Sequence, residues 1–381
     1  MKIHFICGCL EKGRDGVGDY TRNLAGELMK IGHKVSITSL NDYFVPIDFL
    51  KEETQDLIPV LRVRLGNARK QLLINVQKRI EEFDPDWVSL QFVPFSFHYK
   101  GLPWRLAKQL AMLGCGRKWH IMFHELWLGG AQSDPVKYKI LGGLQKRLVM
   151  RVLDKIKPVK VFTNTYFYKN LLESKGVKAV VVPVFSNIPV GHSENSLLFN
   201  LLPKKVLNNR ERYIIASFFG NVEFTIELER NLLKLKRLTQ IENKELLISH
   251  IGNSEGVVER FQEWDDQFGI KAIIFGIQEE LSIAAYFQKI DIGLSSYPKI
   301  LLEKSGSIAA MNHNNLPVIL LRKSFERDPR PLDWVKEIHE IFQLSKFISS
   351  AKSNKSHFGI ERSIAAYTHT FNQSQVKRIE L

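Results

Sequence analysis

Cysteine is scarce in this chain: Cys7, Cys9 and Cys115 are the only three in 381 residues. So odd and sparse a set excludes a disulfide scaffold and suits a reducing compartment. Cys7 and Cys9 have no second Cys or His pair at zinc spacing, so no metal is expected. Long apolar runs are missing too, and none approaches the roughly 18 residues of a spanning helix. The opening run, Met1-Lys2-Ile3-His4-Phe5-Ile6, has the length of a strand only, and no signal peptide is read there. A cytoplasmic protein is expected. No helix-turn-helix, zinc-finger or aromatic-rich RNA motif occurs, so nucleic acid is not expected as a partner. Low-complexity tracts are absent, and with 44% apolar and 25% charged residues large disordered regions are excluded.

Basic charge, by contrast, is abundant and uneven. The formal net charge is +14. Between Val60 and Ile80 stand Arg62, Arg64, Arg69, Lys70, Lys78 and Arg79 with no acidic residue. Between Val136 and Val161 eight basic residues face Asp154 alone. Such clustering by itself suits a polyanionic partner, whether anionic lipid, a lipid diphosphate or nucleic acid, and otherwise a plain solvated surface. Within Leu141–Ile156, Leu144, Leu148, Val152 and Ile156 recur at helical spacing, and Arg147, Arg151 and Lys155 form a neighbouring line. That line is the candidate for holding a membrane or acceptor, with peripheral attachment to the inner face of the membrane.

The length fits two domains. Strand-like runs at Lys2–Cys7, Lys34–Leu40, Trp87–Phe92, His120–Phe123, Lys160–Thr163 and Ala179–Val182 alternate with helical patterns such as Tyr20–Ile31. Pro183, Pro189 and Pro203, with Ser186, Asn187, Gly191, Ser193 and Asn195, then break the rhythm as a linker. Alternation restarts with strands at Tyr213–Phe219, Glu245–Ile251, Ala272–Phe275, Ile290–Leu294 and Val318–Leu321. The expected fold class is α/β: two Rossmann-like, doubly wound parallel-sheet domains facing a cleft. The expected limits are 1–190 for an acceptor-side domain, 191–211 for the linker, and 212–360 for a nucleotide-sugar domain. A tail helix at 361–381 would cross back.

Two segments carry phosphate-binding chemistry. Gly13-Arg14-Asp15-Gly16-Val17-Gly18-Asp19 lies between the first strand and the first helix. Glycine there permits close approach of a ligand, and a helix start offers free N–H groups. No third glycine follows at dinucleotide spacing. In the second half, Glu303-Lys304-Ser305-Gly306-Ser307 opens a small-residue helix, where N–H groups, two hydroxyls and Lys304 favour an anion.

At these residues a family resemblance emerges. Gly16-Val17-Gly18-Asp19-Tyr20-Thr21-Arg22-Asn23-Leu24-Ala25, followed by Gly32-His33-Lys34-Val35, resembles the opening of retaining glycosyltransferases of family 4, which have the GT-B fold. Asp86–Phe92, His124-Glu125, Pro183–Pro189, Phe219-Gly220-Asn221, Phe275-Gly276-Ile277 and Asp291–Pro298 follow in the family's order, over about residues 1–325. The resemblance implies a donor site at Gly16, Gly18, Gly220, Asn221, Gly276, Ile277, Glu303, Lys304, Ser305, Gly306 and Ser307. It also implies His124 beside the donor sugar as the catalytic candidate, with Glu125 next to it. Neither a cofactor nor a metal is implied, only a nucleotide-sugar donor, a UDP- or GDP-sugar.

The chain departs from the family at two points. Ala310 stands where the family's second Glu holds the ribose, and no Arg or Lys closely follows Gly220, leaving Lys234, Lys236 or Lys304 to neutralise a diphosphate. The implied activity is transfer of a sugar, with retention, to a glycan or lipid-linked glycan during polysaccharide or lipopolysaccharide synthesis. The alternatives are an inactive binding or regulatory protein on this scaffold, and a transferase for a small soluble acceptor.

Overall fold

The computed structural model describes all residues except 115, 131–133, 192–195, 326–329, 331, 353–357 and 377–381. Cys115, Ser193, Asn195 and the end of the expected tail helix therefore lie outside the described residues. The chain divides into two compact units, Met1–Pro183 with Ile360–Leu381, and Val184–Gly359.

The first unit is built on β1 (Lys2–Cys7), β2 (Lys34–Ser39), β3 (Phe49–Gln55), β4 (Ile58–Arg64), β5 (Trp87–Phe92), β6 (Lys118–Phe123), β7 (Lys160–Thr163) and β8 (Val180–Val181). Their order in the sheet is β3-β4-β2-β1-β5-β6-β7-β8. The pairs are parallel, except β3 with β4. β5 is buried at every position, as expected of a parallel strand covered on both faces.

The β3–β4 hairpin has no counterpart in the sequence reading. Its turn residues, Asp56 and Leu57, take φ of 50° and 68°, the positive values that a two-residue hairpin turn needs. β3 is an edge strand with Lys51, Glu52 and Glu53 at its centre. These charges hide the strand pattern and also deter pairing with another chain.

The first helix, Gly16–Lys30, starts earlier than the apolar spacing predicts. Asp15 caps it by accepting the Gly18 N–H at 2.6 Å. Gly16 and Gly18 are thus the first turn of the helix, not a loop ahead of it. The C-terminal helix, Ile360–Val376, belongs to the first unit. Tyr367 and Phe371, four residues apart on one face, are fully buried. Their rings pack on Phe5, Trp87, His120 and Phe162.

The second unit carries β9 (Tyr213–Phe219), β10 (Glu245–Ile251), β11 (Lys271–Gly276), β12 (Ile292–Ser295), β13 (Val318–Leu320) and β14 (Val335–Glu337). All its pairs are parallel, in the order β11-β10-β9-β12-β13-β14. The sequence reading has no β14. The Pro-rich segment before β9 packs on this unit through short helices at Leu197–Asn200 and Lys204–Asn208, with Leu198, Leu202 and Val206 buried. Asn314 ties it down, accepting the Gly191 N–H at 2.9 Å and donating to the Pro189 carbonyl at 3.0 Å.

Each sheet has a point where successive strands change direction outward: between β1 and β5 in the first, and between β9 and β12 in the second. Ligands of open parallel sheets bind beyond the carboxyl ends of strands at such points. Among the described residues, no helix is long and apolar enough to cross a membrane.

Candidate functional site

In the second unit the expected donor residues gather at the carboxyl edge of the sheet. β9, β10 and β11 each end at a glycine with positive φ: Gly220 at 78°, Gly252 at 120° and Gly276 at 68°. The Gly252 N–H donates to the Gly276 carbonyl at 2.7 Å, and the Gly220 N–H to the Ile251 carbonyl at 2.9 Å. A Cβ on Gly252 would lie 3.1 Å from Gly220 Cα, and one on Gly220 would lie 2.8 Å from Ser307 Oγ. The glycines therefore let three strand ends and the Gly306–His313 helix converge.

That helix begins at the switch point with a serine cap. Ser305 Oγ accepts the Ile308 N–H at 3.3 Å, and the Ser305 carbonyl accepts the Ala309 N–H at 2.9 Å. The N–H groups of Gly306 and Ser307 have no acceptor among the described residues. Two unspent N–H groups, the helix dipole and the Ser307 hydroxyl make this edge suited to an anion. Around it, Ser254 Oγ accepts from the Val222 N–H and donates to Asn221 Oδ1, at 3.1 and 3.3 Å. Ser296 Oγ accepts the Glu223 N–H at 3.1 Å, across the β9–β12 junction. Ile277, just past Gly276, is exposed.

Two expected residues take other partners. Glu303 is buried, and Arg330 Nη1 donates to its Oε1 at 2.5 Å. Ala310 is buried in the helix and offers no polar group. Of the lysines considered for the diphosphate, Lys236 donates to the carbonyls of Phe268 and Gly269, which precede β11. It therefore sits at the amino edge of the sheet and is ruled out. Lys304 stays close, in the turn Lys299–Lys304 just before the helix. A cation missed in the sequence reading is Arg322, two residues past the end of β13, whose Nη1 donates to Glu223 Oε2 at 2.6 Å. Its signal was its place, an Arg just past a strand that ends at this edge.

In the first unit, Gly16 and Gly18 lie at a helix start of different chemistry. Here the cap is the Asp15 carboxylate, and Asp19 accepts the Gly13 N–H at 3.1 Å. Burial raises the pKa of Asp15. A Cβ on Gly18 would lie 2.5 Å from the Cys9 carbonyl oxygen, so packing alone demands that glycine. Gly16 has open space on its Cβ side, and packing does not require it.

His124 follows β6 and is buried with its ring edge-on to Tyr20, centroids 4.7 Å apart. Gln91 orients it. The Gln91 amide nitrogen donates to Ser89 Oγ at 3.0 Å and to the Tyr367 hydroxyl at 3.4 Å, which leaves Oε1 to accept from His124 Nε2 at 2.9 Å. That arrangement assigns the imidazole proton to Nε2 and makes Nδ1 an acceptor. Burial lowers the pKa of His124 to about 3, so at neutral pH the ring is uncharged. Glu125 follows, half-buried, its N–H directed at the Phe92 carbonyl at 3.5 Å. Gln91 was missed as a positioning residue because its partners come from β6 and from a helix 276 residues away in sequence.

Arg147, Arg151 and Lys155 lie exposed along the Val136–Ile156 helix, on a line beside the buried one of Leu148, Val152 and Ile156. None makes an ion pair among the described residues. Val136 and Ile140, a helical repeat earlier on the same face, are exposed at 71% and 66%.

No family model matches the chain, and no curated protein matches it. Solved structures do. HepE of Anabaena, in complex with UDP and glucose, matches with a TM-score of 0.61 at 12% identity, covering 100% of this chain and 99% of that one. The lipopolysaccharide outer core galactosyltransferase WaaB matches with 0.57 at 12% identity, covering 98% and 100%. A UDP-N-acetylglucosamine 2-epimerase of Listeria monocytogenes, named as putative, matches with 0.53 at 12% identity, covering 96% and 94%. At such identities the likeness is one of fold. This chain, with its two parallel-sheet units, has the GT-B fold of nucleotide-sugar glycosyltransferases.

Proposed function

We propose that this protein is a glycosyltransferase that moves a sugar from a nucleotide-sugar donor, a UDP-sugar first of all, to a glycan or lipid-linked glycan. The observation that carries the reading is the serine-capped helix start over Gly220, with the Gly306 and Ser307 N–H groups unspent at the switch point of the second sheet. UDP in the HepE structure supports the choice of donor, and the name of WaaB supports lipopolysaccharide or polysaccharide synthesis as the setting.

On this reading the diphosphate meets Gly306, Ser307 and Lys304, and departure of the nucleoside diphosphate is stabilised by fixed N–H dipoles and nearby cations. The carboxylate cap of Gly16–Lys30 disfavours a phosphate there, so Gly16 and Gly18 are assigned to the sugar. A neutral His124 accepts a hydrogen bond from a sugar hydroxyl and does not serve as a charged acid. Retention follows from the family resemblance, with the leaving phosphate helping to take the acceptor proton. No pair of protein carboxylates is then needed, unlike glycoside hydrolysis.

Calorimetric titration with UDP-, GDP-, ADP- and dTDP-sugars tests the donor assignment. A UDP-sugar is expected to bind, and Ser305→Ala with Ser307→Ala is expected to weaken UDP more than uridine. Equal weakening of both ligands, with the fold intact, would count against the cradle. For the setting we assign the exposed face of Val136–Ile156 to the cytoplasmic surface of an anionic membrane, since each basic residue there contributes about 1 kcal/mol. Vesicles of phosphatidylglycerol are expected to bind the protein at low salt, and Arg147→Glu with Arg151→Glu to abolish that binding. No binding by the unaltered protein at low salt would remove the membrane part.

A further inference from the structure

The basic stretch Val60–Ile80 does not fold into one patch. Arg62 is buried, donating to Asp42 through Nε at 2.8 Å and Nη2 at 2.9 Å, and to Glu11 at 2.6 Å. Arg79 pairs with Glu52 and Glu82, and Arg64 lies over the Tyr43 ring. Arg69 is different. It makes no ion pair among the described residues, and its Nε is buried without a hydrogen bond.

Arg69 lines a cavity of about 270 Å³ at the carboxyl edge of the first sheet, between the end of β2 and the segment after β5. Arg105, His98, Gln109, Trp104 and Phe97 line it as well, and none of its described lining residues is acidic. His98 Nδ1 accepts the N–H groups of Lys100 and Leu102, at 3.2 and 3.3 Å, which puts the ring proton on Nε2. The side chains of Arg105 and Gln109 have no hydrogen bond among the described residues. Trp104 keeps 52% of its surface exposed.

Two guanidinium groups line one concavity with no carboxylate to neutralise them, and an imidazole N–H and an amide add neutral donors, a set that suits an anion. The indole beside them offers a flat apolar face of the kind that covers the C–H face of a sugar ring. The geometry points to this cavity as the seat of an anionic sugar group, a phosphate or carboxylate borne on a pyranose. Its role as the acceptor's anchor rests on the transferase reading, whereas the preference for anionic sugars does not.

Calorimetry without any donor tests this, with glucose 6-phosphate, glucuronate, glucose and inorganic phosphate as probes. At least one anionic sugar is expected to bind, with glucose weaker by roughly ten-fold or more. The tighter of the two anionic sugars identifies the group as phosphate or carboxylate. Arg69→Gln with Arg105→Gln is expected to cost that ligand roughly ten-fold, and added salt is expected to weaken it in the unaltered protein. Trp104→Ala is expected to weaken the sugar ligand but not inorganic phosphate. UDP affinity, read in parallel, stays unchanged in all variants, and its absence in the unaltered protein would count only against the transferase reading. The inference is overturned if glucose binds as tightly as the anionic sugars, or if the double variant, still folded, keeps full affinity.

Discussion

The two units solve the same topological problem and end with opposite chemistry at their edges. Each places a glycine-containing helix start beside its switch point. In the first unit the cap is a carboxylate, Asp15, which takes the Gly18 N–H. In the second it is a hydroxyl, Ser305, and the two N–H groups before Ile308 stay unspent. Glycine content alone does not make an anion site. The charge of the capping residue decides whether the helix dipole is available to a ligand or already neutralised.

The interiors differ as well. The first unit buries His4, His120 and His124, and burial lowers each pKa to about 3. In the second unit, burial also lowers the pKa of His250, whose Nε2 donates to the Gly220 carbonyl at 2.8 Å. An unfolded chain protonates its histidines below about pH 6.5, while the folded first unit keeps these three neutral down to about pH 3. Between those values the unfolded state binds more protons, so stability falls as pH falls. The loss approaches roughly 4 kcal/mol per pH unit for the three rings together. Hydrogen exchange at pH 7 and pH 5 is therefore expected to show the first unit opening before the second. Earlier opening of the second unit would break the comparison.

A next-largest effect is expected from exchanging the caps. Ser305→Asp retains a capping oxygen but sets a carboxylate where the diphosphate is proposed to bind. UDP affinity should fall by about 30-fold, or ~2 kcal/mol, with the melting temperature nearly unchanged. Uridine should be affected far less. A variant that binds UDP normally would show that the second edge does not hold the phosphates.

The smallest effects should come from the glycines. Gly220→Ala forces a Cβ at positive φ to within 2.8 Å of Ser307 Oγ, which should cost ~1–2 kcal/mol of stability along with UDP affinity. Gly16→Ala meets nothing within 4 Å and should leave stability within ~1 kcal/mol of the unaltered protein, or raise it. Thermal unfolding of the two variants checks both. Equal destabilisation would mean that Gly16 is held by packing after all.

The α/β alternation is legible in the linear pattern of apolar residues. β1, β5, β7, β9 and β10 begin and end where the sequence pattern places them, because strands buried on both faces are predominantly apolar. The serine-capped helix is legible too, since a cap acts over three residues. Other features depend on contacts made only in the folded chain. The edge hairpin β3–β4 carries charge where an interior strand would be apolar. The placement of Tyr367 against Gln91, and so the orientation of His124, depends on residues far apart in the chain. So does the division of the Val60–Ile80 cations between buried ion pairs and an open cavity. Charge and hydrogen-bond partners are assigned by proximity in space, and a linear pattern records only what is close along the backbone.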